Sequence, residues 1–360
     1  MHLRRRRHGA AALAAVSGLG LFLAACSSSS PPSSTNTGGT SSHLSGTLNG
    51  SGSTFQLVYQ QAAISAFKSM QSGMTVNYAG VGSGTGRTNL AAGTVNFAGS
   101  DSPIPSTETA NFKGKTVLYF PVVIGPITMS YNLSGLSKPL QLTPAVISDI
   151  FQGNVKTWNA AEITAINPGV HLPSTPITLA VRSDSSGTTA NFTLFLTDSV
   201  GSAWKLGSAS TISWPSTAHA ASGNSGVAQT IKSTPGAIGY VDYATAKASG
   251  LTFASVKNKD GNYVAPSVAG ASASAAGVTL NPDLTFHAVW GSGATAYPIT
   301  YQSWDLVYAK QPNANDAAML KAYLGYLLGD GQKLLSSLNY APLPSSIDSA
   351  AVAQLSKITG

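Results

Sequence analysis

Three stretches of this chain set a turn of Gly, Ser and Thr between a strand-forming run and a helix-forming run. The densest is "YAGVGSGTGRTNL", residues 78–90. Gly80, Gly82, Gly84 and Gly86 permit left-handed backbone and close approach by a ligand, between a strand read over Met74–Tyr78 and a helix opening at "TGRTNLAAG". In "GSGSTFQLVYQQAAISAFKSM", residues 50–70, Gly50 to Ser53 read as a turn and Ser53 or Thr54 as the helix cap, with Leu57, Ile64 and Phe67 near one face. In "ITLAVRSDSSGTTANFTLFL", residues 177–196, a strand from Ile177 to Val181 ends in Arg182. Ser185-Ser186-Gly187-Thr188 then open an amphipathic segment carrying Phe192, Phe195 and Leu196. The first amides of a helix lack partners within it and carry the positive end of its dipole, so each turn favours an anion. Alone, each also reads as an ordinary capped helix or turn.

The type of anion site is constrained by spacing. A nucleotide P-loop needs G-x-x-x-x-G-K-[ST]. Here Gly86-Arg87-Thr88 imitates its end, but the position five before Gly86 is Val81 and the lysine is an arginine. The dinucleotide pattern G-x-G-x-x-G fails too, because Thr85 or Arg87 takes its last place. Arg182 beside free amides suits a tetrahedral oxyanion, and Asp184 is near enough in sequence to orient the guanidinium. "TVNFAGSDSP", residues 94–103, adds a strand and a turn with Asp101. A carboxylate repels an anion unless the anion carries a proton for it to accept.

The N-terminus places this chemistry outside the cytoplasm. Residues 1–25 read as a lipoprotein signal: Arg4 to Arg7, then an apolar run from Ala10 to Leu23 that is short for a spanning helix. Leu23-Ala24-Ala25-Cys26 resembles a bacterial lipobox, so Cys26, the single cysteine, is expected to be lipidated. Residues 26–46 read as a flexible Ser/Thr/Gly/Pro tether. Removing the four leader arginines from 20 basic residues leaves 16 against 13 acidic, a charge of +3, too mild to argue for nucleic acid. The remaining length predicts two domains. Outside the leader the histidines, His43, His171, His219 and His287, are scattered and no G-x-S-x-G is present, which argues against a serine hydrolase. Neither metal spacing nor a cofactor motif is present, so no metal, cofactor or enzymatic activity is expected.

Taken in order, these loops resemble the phosphate-binding proteins of bacterial high-affinity phosphate ABC transporters. The resemblance runs from about Thr47 to the C-terminus and includes "STF" at 53–55, "VNYAGVGSG" at 76–84, "NFAGSD" at 96–101 and "RSDSSGTT" at 182–189. Lesser matches are "FPVVIGPITMSYNL" at 120–133, "IFQGNVKTWN" at 150–159, "STPGAIGYVDY" at 233–243 and "YPIT" at 297–300. It implies an α/β, two-lobe periplasmic-binding-protein fold of type II with the ligand in the cleft. Lobe I would span 47–125 plus 296–360 and lobe II 126–295, hinged near Val122–Ile127 and Tyr297–Ile299.

The implied phosphate ligands are the Thr54 hydroxyl, the Phe55 amide, Ser83, Asp101 as proton acceptor, Arg182, and Ser186, Gly187 and Thr188, with Asp184 supporting Arg182. The implied partners are inorganic phosphate and an ABC permease with its ATPase subunits; the chain would be a monomer held to the membrane by its lipid alone. Another oxyanion (sulfate, molybdate, tungstate) or a sensing or adhesive role on the same scaffold is the alternative. This sequence lacks the prolines that often follow the Thr-Phe pair, so the turn is expected to differ slightly while the ligand pair is retained. Arg87 is expected on the helix surface or as positive potential at the cleft mouth. Segment 265–277 reads as a surface helix or lobe extension.

Overall fold

"VLYFPVVIGPITMSY", residues 117–131, contains no charged residue, the pattern of a strand covered on both faces. In the computed structural model, which describes residues 44–360, this run is the central strand, buried from Leu118 to Tyr131. Before it come β1 (Gly46–Gly52), α1 (Leu57–Met70), β2 (Met74–Gly80), α2 (Ser83–Ala92) and β3 (Phe97–Ser100), and the run itself is β4 (Val117–Tyr131). After it come β5 (Gln141–Leu142), α3 (Pro144–Phe151), α4 (Ala161–Ala165), β6 (Thr178–Arg182) and α5 (Gly187–Val200). Next are β7 (His219–Ala221), α6 (Gly223–Ser233), β8 (Ala237–Asp242), α7 (Tyr243–Ala248), β9 (Thr252–Phe253), β10 (Ser255–Lys257) and β11 (Tyr263–Val264). The chain ends with α8 (Val268–Ala275), β12 (Thr300–Tyr308), α9 (Ala314–Leu328) and α10 (Ser345–Gln354).

The main sheet runs β2-β1-β3-β12-β4-β8-β6-β7, with β9 added beside β4. Its flanks are parallel: β1 pairs β2 and β3, while β6 pairs β7 and β8. Its middle is antiparallel, through β12 with β3 and β4, and β4 with β8. β4 pairs β12 from Val117 to Pro126 and β8 from Ile127 to Tyr131. Proline has no amide to donate, so Pro126 sits where β4 changes partners, and Pro121 sits at the register shift. The candidate turns follow the C-terminal ends of β1, β2, β3 and β6, where ligand sites lie in α/β sheets.

Several local expectations shift. Gly50 to Gly52 belong to β1, so the turn begins only at Ser53, and the tether gives way to this strand at Gly46. Ser53 Oγ accepts from the amides of Phe55 and Gln56, at 3.1 and 3.3 Å; Thr54 caps nothing. The buried face of α1 is Tyr59, Gln60, Ala63 and Phe67, leaving Leu57 and Ile64 half-buried, because α1 packs on α9 and must also present Gln60 to Asp305. Segment 265–277 is no free surface helix: Gly270, Ala271, Ser274 and Ala275 are buried, and α8 packs on β4 and β12. Small side chains let it lie close to the sheet. The signal, Cys26 and most of the tether lie outside the described residues.

Candidate functional site

Strand ends bring the sequence candidates together. β1 delivers Ser53 and Thr54, β2 and α2 deliver Ser83, and β3 delivers Asp101; β6 and α5 deliver Arg182 to Thr188. The two sets touch. The Gly84 amide donates to the Ser185 carbonyl at 3.0 Å. Gly82 has φ +91°, and a Cβ there would lie 2.5 Å from an Asp184 carboxylate oxygen. A Cβ on Gly187 would lie 2.5 Å from both Ser83 Oγ and Asp101 Cβ, so only glycine fits where the start of α5 meets Ser83 and Asp101. The N-termini of α2 and α5 thereby converge.

Asp101 is 1% exposed and tightly held. Its Oδ1 accepts from Ser303 Oγ at 2.5 Å, and Ser303 Oγ accepts from Gln56 Nε2 at 2.7 Å. Ser83 Oγ lies 3.4 Å from the other carboxylate oxygen and accepts from the Asp101 amide at 3.2 Å. Asn191 Nδ2 from α5 donates to the Asp101 carbonyl at 2.6 Å. Burial pushes the Asp101 carboxyl up to about 6, against the hydroxyls of Ser303, Ser53 and Ser83 and the charge of Arg182.

Arg182, 5% exposed, directs Nε at 2.7 Å and also Nη2 onto Asp184, and Nη1 at 3.1 Å onto Asn224 Oδ1 and 3.4 Å onto Thr188 Oγ1. Burial opposes ionisation of Asp184. The hydrogen bonds and charge of Arg182 with the Gly223 amide (3.1 Å) outweigh it and hold the carboxyl below its usual range. Ser186 is the N-cap of α5, accepting from the Thr189 amide at 3.1 Å. Thr54 Oγ1 is buried without a hydrogen-bond partner among the described residues. The Phe55 amide is engaged by Ser53, while the Phe55 ring packs tilted against Tyr301, centroids 4.1 Å apart.

Arg87 departs from its expected place. It is fully buried, forks onto Glu108 at 2.6 and 2.8 Å, and donates to Ser100 Oγ and Ser102 Oγ at 3.1 Å each. Glu108 neutralises it, so it brings no free field to the cleft. It pins the residues either side of Asp101.

Sequence reasoning missed Ser303, Tyr301, Asn224 and Asp242. Of six buried side-chain atoms without partners among the described residues, Thr54 Oγ1, Asn224 Nδ2, Asp242 Oδ2 and Tyr301 Oη belong to residues in or beside this cradle. Burial pushes the Asp242 carboxyl up to about 6, with the Asp101 charge adding to the rise. Asn224 was findable as another strand–turn–helix unit, but its strand, β7, has only three residues. Among the described residues no group of three or more His, Cys, Asp or Glu side chains could hold a metal.

Asp305, in the same polar network through Gln60 at 3.0 Å, is pushed up to about 7 by burial. Between about pH 4 and these raised values, Asp101, Asp242 and Asp305 thus hold protons in the folded state that the unfolded chain has released. Stability contributed this way is present below about pH 4 and lost as pH rises through about 6 to 7. Calorimetric melting of the ligand-free protein should show Tm falling by several degrees across that window, less in Asp305→Asn. A flat or rising Tm would refute it.

A PBP superfamily domain model matches residues 37–330. Phosphate-binding protein PstS 3 of Mycobacterium leprae is 34% identical over 313 residues, covering 84% of this chain and 84% of that protein. Phosphate-binding protein PstS 2 of Mycobacterium tuberculosis is 33% identical and covers 98% of this chain and 99% of its own. Among solved structures, a high-affinity periplasmic phosphate-binding protein (PfluDING) with bound phosphate aligns at TM-score 0.70 and 23% identity, over 86% of this chain and 94% of that one. The phosphate-binding protein from Stenotrophomonas maltophilia aligns at TM-score 0.68 and 20% identity, over 86% and 94%. Those structures share the α/β fold, and the closer sequence relatives carry the kinship further: the chain belongs to the PBP superfamily and, within it, to the PstS phosphate-binding protein family.

Proposed function

We propose that this protein binds inorganic phosphate outside the cytoplasm and delivers it to an ABC permease for import. The observation that carries the reading is Asp101: a buried carboxylate seated among donors, between Ser83 and the start of α5. Such a group repels a fully ionised oxyanion and accepts the proton of hydrogen phosphate. Thr54, Ser83, Arg182, Ser186, Gly187 and Thr188 supply the donors, and Asp184 fixes Arg182. The Phe55 amide joins them only if the anion competes with Ser53.

The lobes are 47–125 plus 296–360, and 126–295. The contacts between 82–84 and 184–187 then cross the cleft, and β4 with the start of β12 forms the hinge. Phosphate held from both sides favours closure. A lipid on Cys26 would keep the protein at the membrane as a monomer. It performs no catalysis: the family is one of binding proteins and no histidine stands among the cradle residues.

The test is calorimetric titration of the protein from Ser27 to Gly360, freed of phosphate. We expect one-to-one binding at micromolar Kd or tighter, about −8 kcal/mol or better, and no heat with sulfate. Binding of sulfate or molybdate in place of phosphate would replace the ligand; no binding of any would reject the reading.

A further inference from the structure

We propose that Asn224 is a direct ligand of the bound anion, donating through Nδ2 from the start of α6. The inference rests on the cradle being the phosphate site. Asn224 is 1% exposed. Its orientation follows from chemistry: Arg182 Nη1 can only donate, so the Asn224 atom 3.1 Å away must be the acceptor Oδ1. That choice turns the NH₂ group the other way, where it is buried and meets no acceptor among the described residues. Leaving a buried amide donor unpaired is costly, and native proteins seldom do so without a partner that is not protein.

Asn224 follows Gly223, whose amide donates to Asp184 at 3.1 Å. A Cβ at Gly223 would lie 3.5 Å from Thr54 Cγ2, so this turn abuts Thr54 across the cleft. Thr54 Oγ1, the other unpartnered polar group at this contact, is a candidate ligand in its own right. The start of α6 therefore does two things. It holds the Arg182–Asp184 pair from both ends, and it carries the unpartnered Asn224 amide on a turn that abuts Thr54. Beside the starts of α1, α2 and α5 it adds another helix N-terminus at the anion, where its dipole favours negative charge.

The experiment compares phosphate titration of the wild type and Asn224→Ala, with Tm of the phosphate-free proteins and the Asn224 side-chain NH₂ signal followed by ¹⁵N NMR. We expect Asn224→Ala to weaken phosphate about 10- to 100-fold, with Tm changed little. One of the two Asn224 N–H protons should move downfield when phosphate binds, a shift that merely orienting Arg182 does not produce. Asn224→Asp, of the same shape, keeps an acceptor for Arg182 yet loses the donor, and should bind more weakly than the alanine variant. A Kd within threefold of wild type for both variants, or an NH₂ signal unmoved by phosphate, overturns the proposal. A wild type that binds no phosphate sinks the functional reading, and this assignment with it.

Discussion

Arg182→Ala should weaken phosphate binding by roughly 10²- to 10⁴-fold, measured by calorimetric Kd. The guanidinium has five N–H donors. Two face Asp184, and Nη1 is directed at Asn224 and, at the long distance of 3.4 Å, at Thr188, so a second Nη2 hydrogen remains for an anion. Alanine removes that donor and leaves the mostly buried Asp184 carboxylate without its counter-charge beside the ligand. Breaking a buried pair from one side costs about 3–5 kcal/mol, at about 1.4 kcal/mol per tenfold. The sign of the second contribution is testable. Arg182→Ala with Asp184→Ala removes the stranded charge as well, and should bind at least tenfold better than Arg182→Ala alone. If the double variant is no better, electrostatic repulsion by Asp184 is not part of the loss. If the single variant stays within tenfold of wild type, Arg182 is not a ligand.

Asp101→Asn should collapse discrimination between phosphate and sulfate by about 30-fold or more, taking about 2 kcal/mol as the lower value of a buried charged hydrogen bond. Sulfate has no proton to give Asp101, so the wild-type carboxylate meets it as a bare like charge. Asparagine has no charge and offers an NH₂ donor that either anion can accept. The same logic sets the pH dependence. With its carboxyl raised to about 6 by burial, Asp101 is ionised above that pH and protonated below it in the ligand-free protein. Sulfate should therefore begin to bind the wild type as pH falls through about 6, and Asp101→Asn should lose that dependence. Competition titrations at pH 5 and pH 8 decide it; unchanged selectivity in the variant would remove Asp101 from the reading.

The sequence legibly marked the turns that carry most of the candidate site. Gly/Ser/Thr runs after strand-forming residues have few alternatives locally, because a turn that needs left-handed backbone and free amides selects those residues. Ser186 as an N-cap and Phe192, Phe195 and Leu196 as the buried face of α5 follow from spacing alone. Asp184 beside Arg182 does too, since two residues of chain keep them within reach. The resemblance placed Thr54, Ser83 and Asp101 in one set. Nothing in their spacing does so, as they lie up to 47 residues apart.

Other features were set by packing between distant segments. Arg87 reads as a surface cation because helix positions after a glycine turn are commonly exposed; it is buried because Ser100 at the end of β3, and Ser102 and Glu108 in the segment after it, come to it. Ser303 holds Asp101 from a strand 202 residues later, and Asn224 reaches Arg182 over 42. Their own neighbours in sequence carry no sign of it. The chain's local chemistry determined which turns can present amides to an anion. Which side chains complete the cradle was decided by the sheet, because its parallel strands end at one cleft and bring together residues whose sequence separation gives no local energy to read.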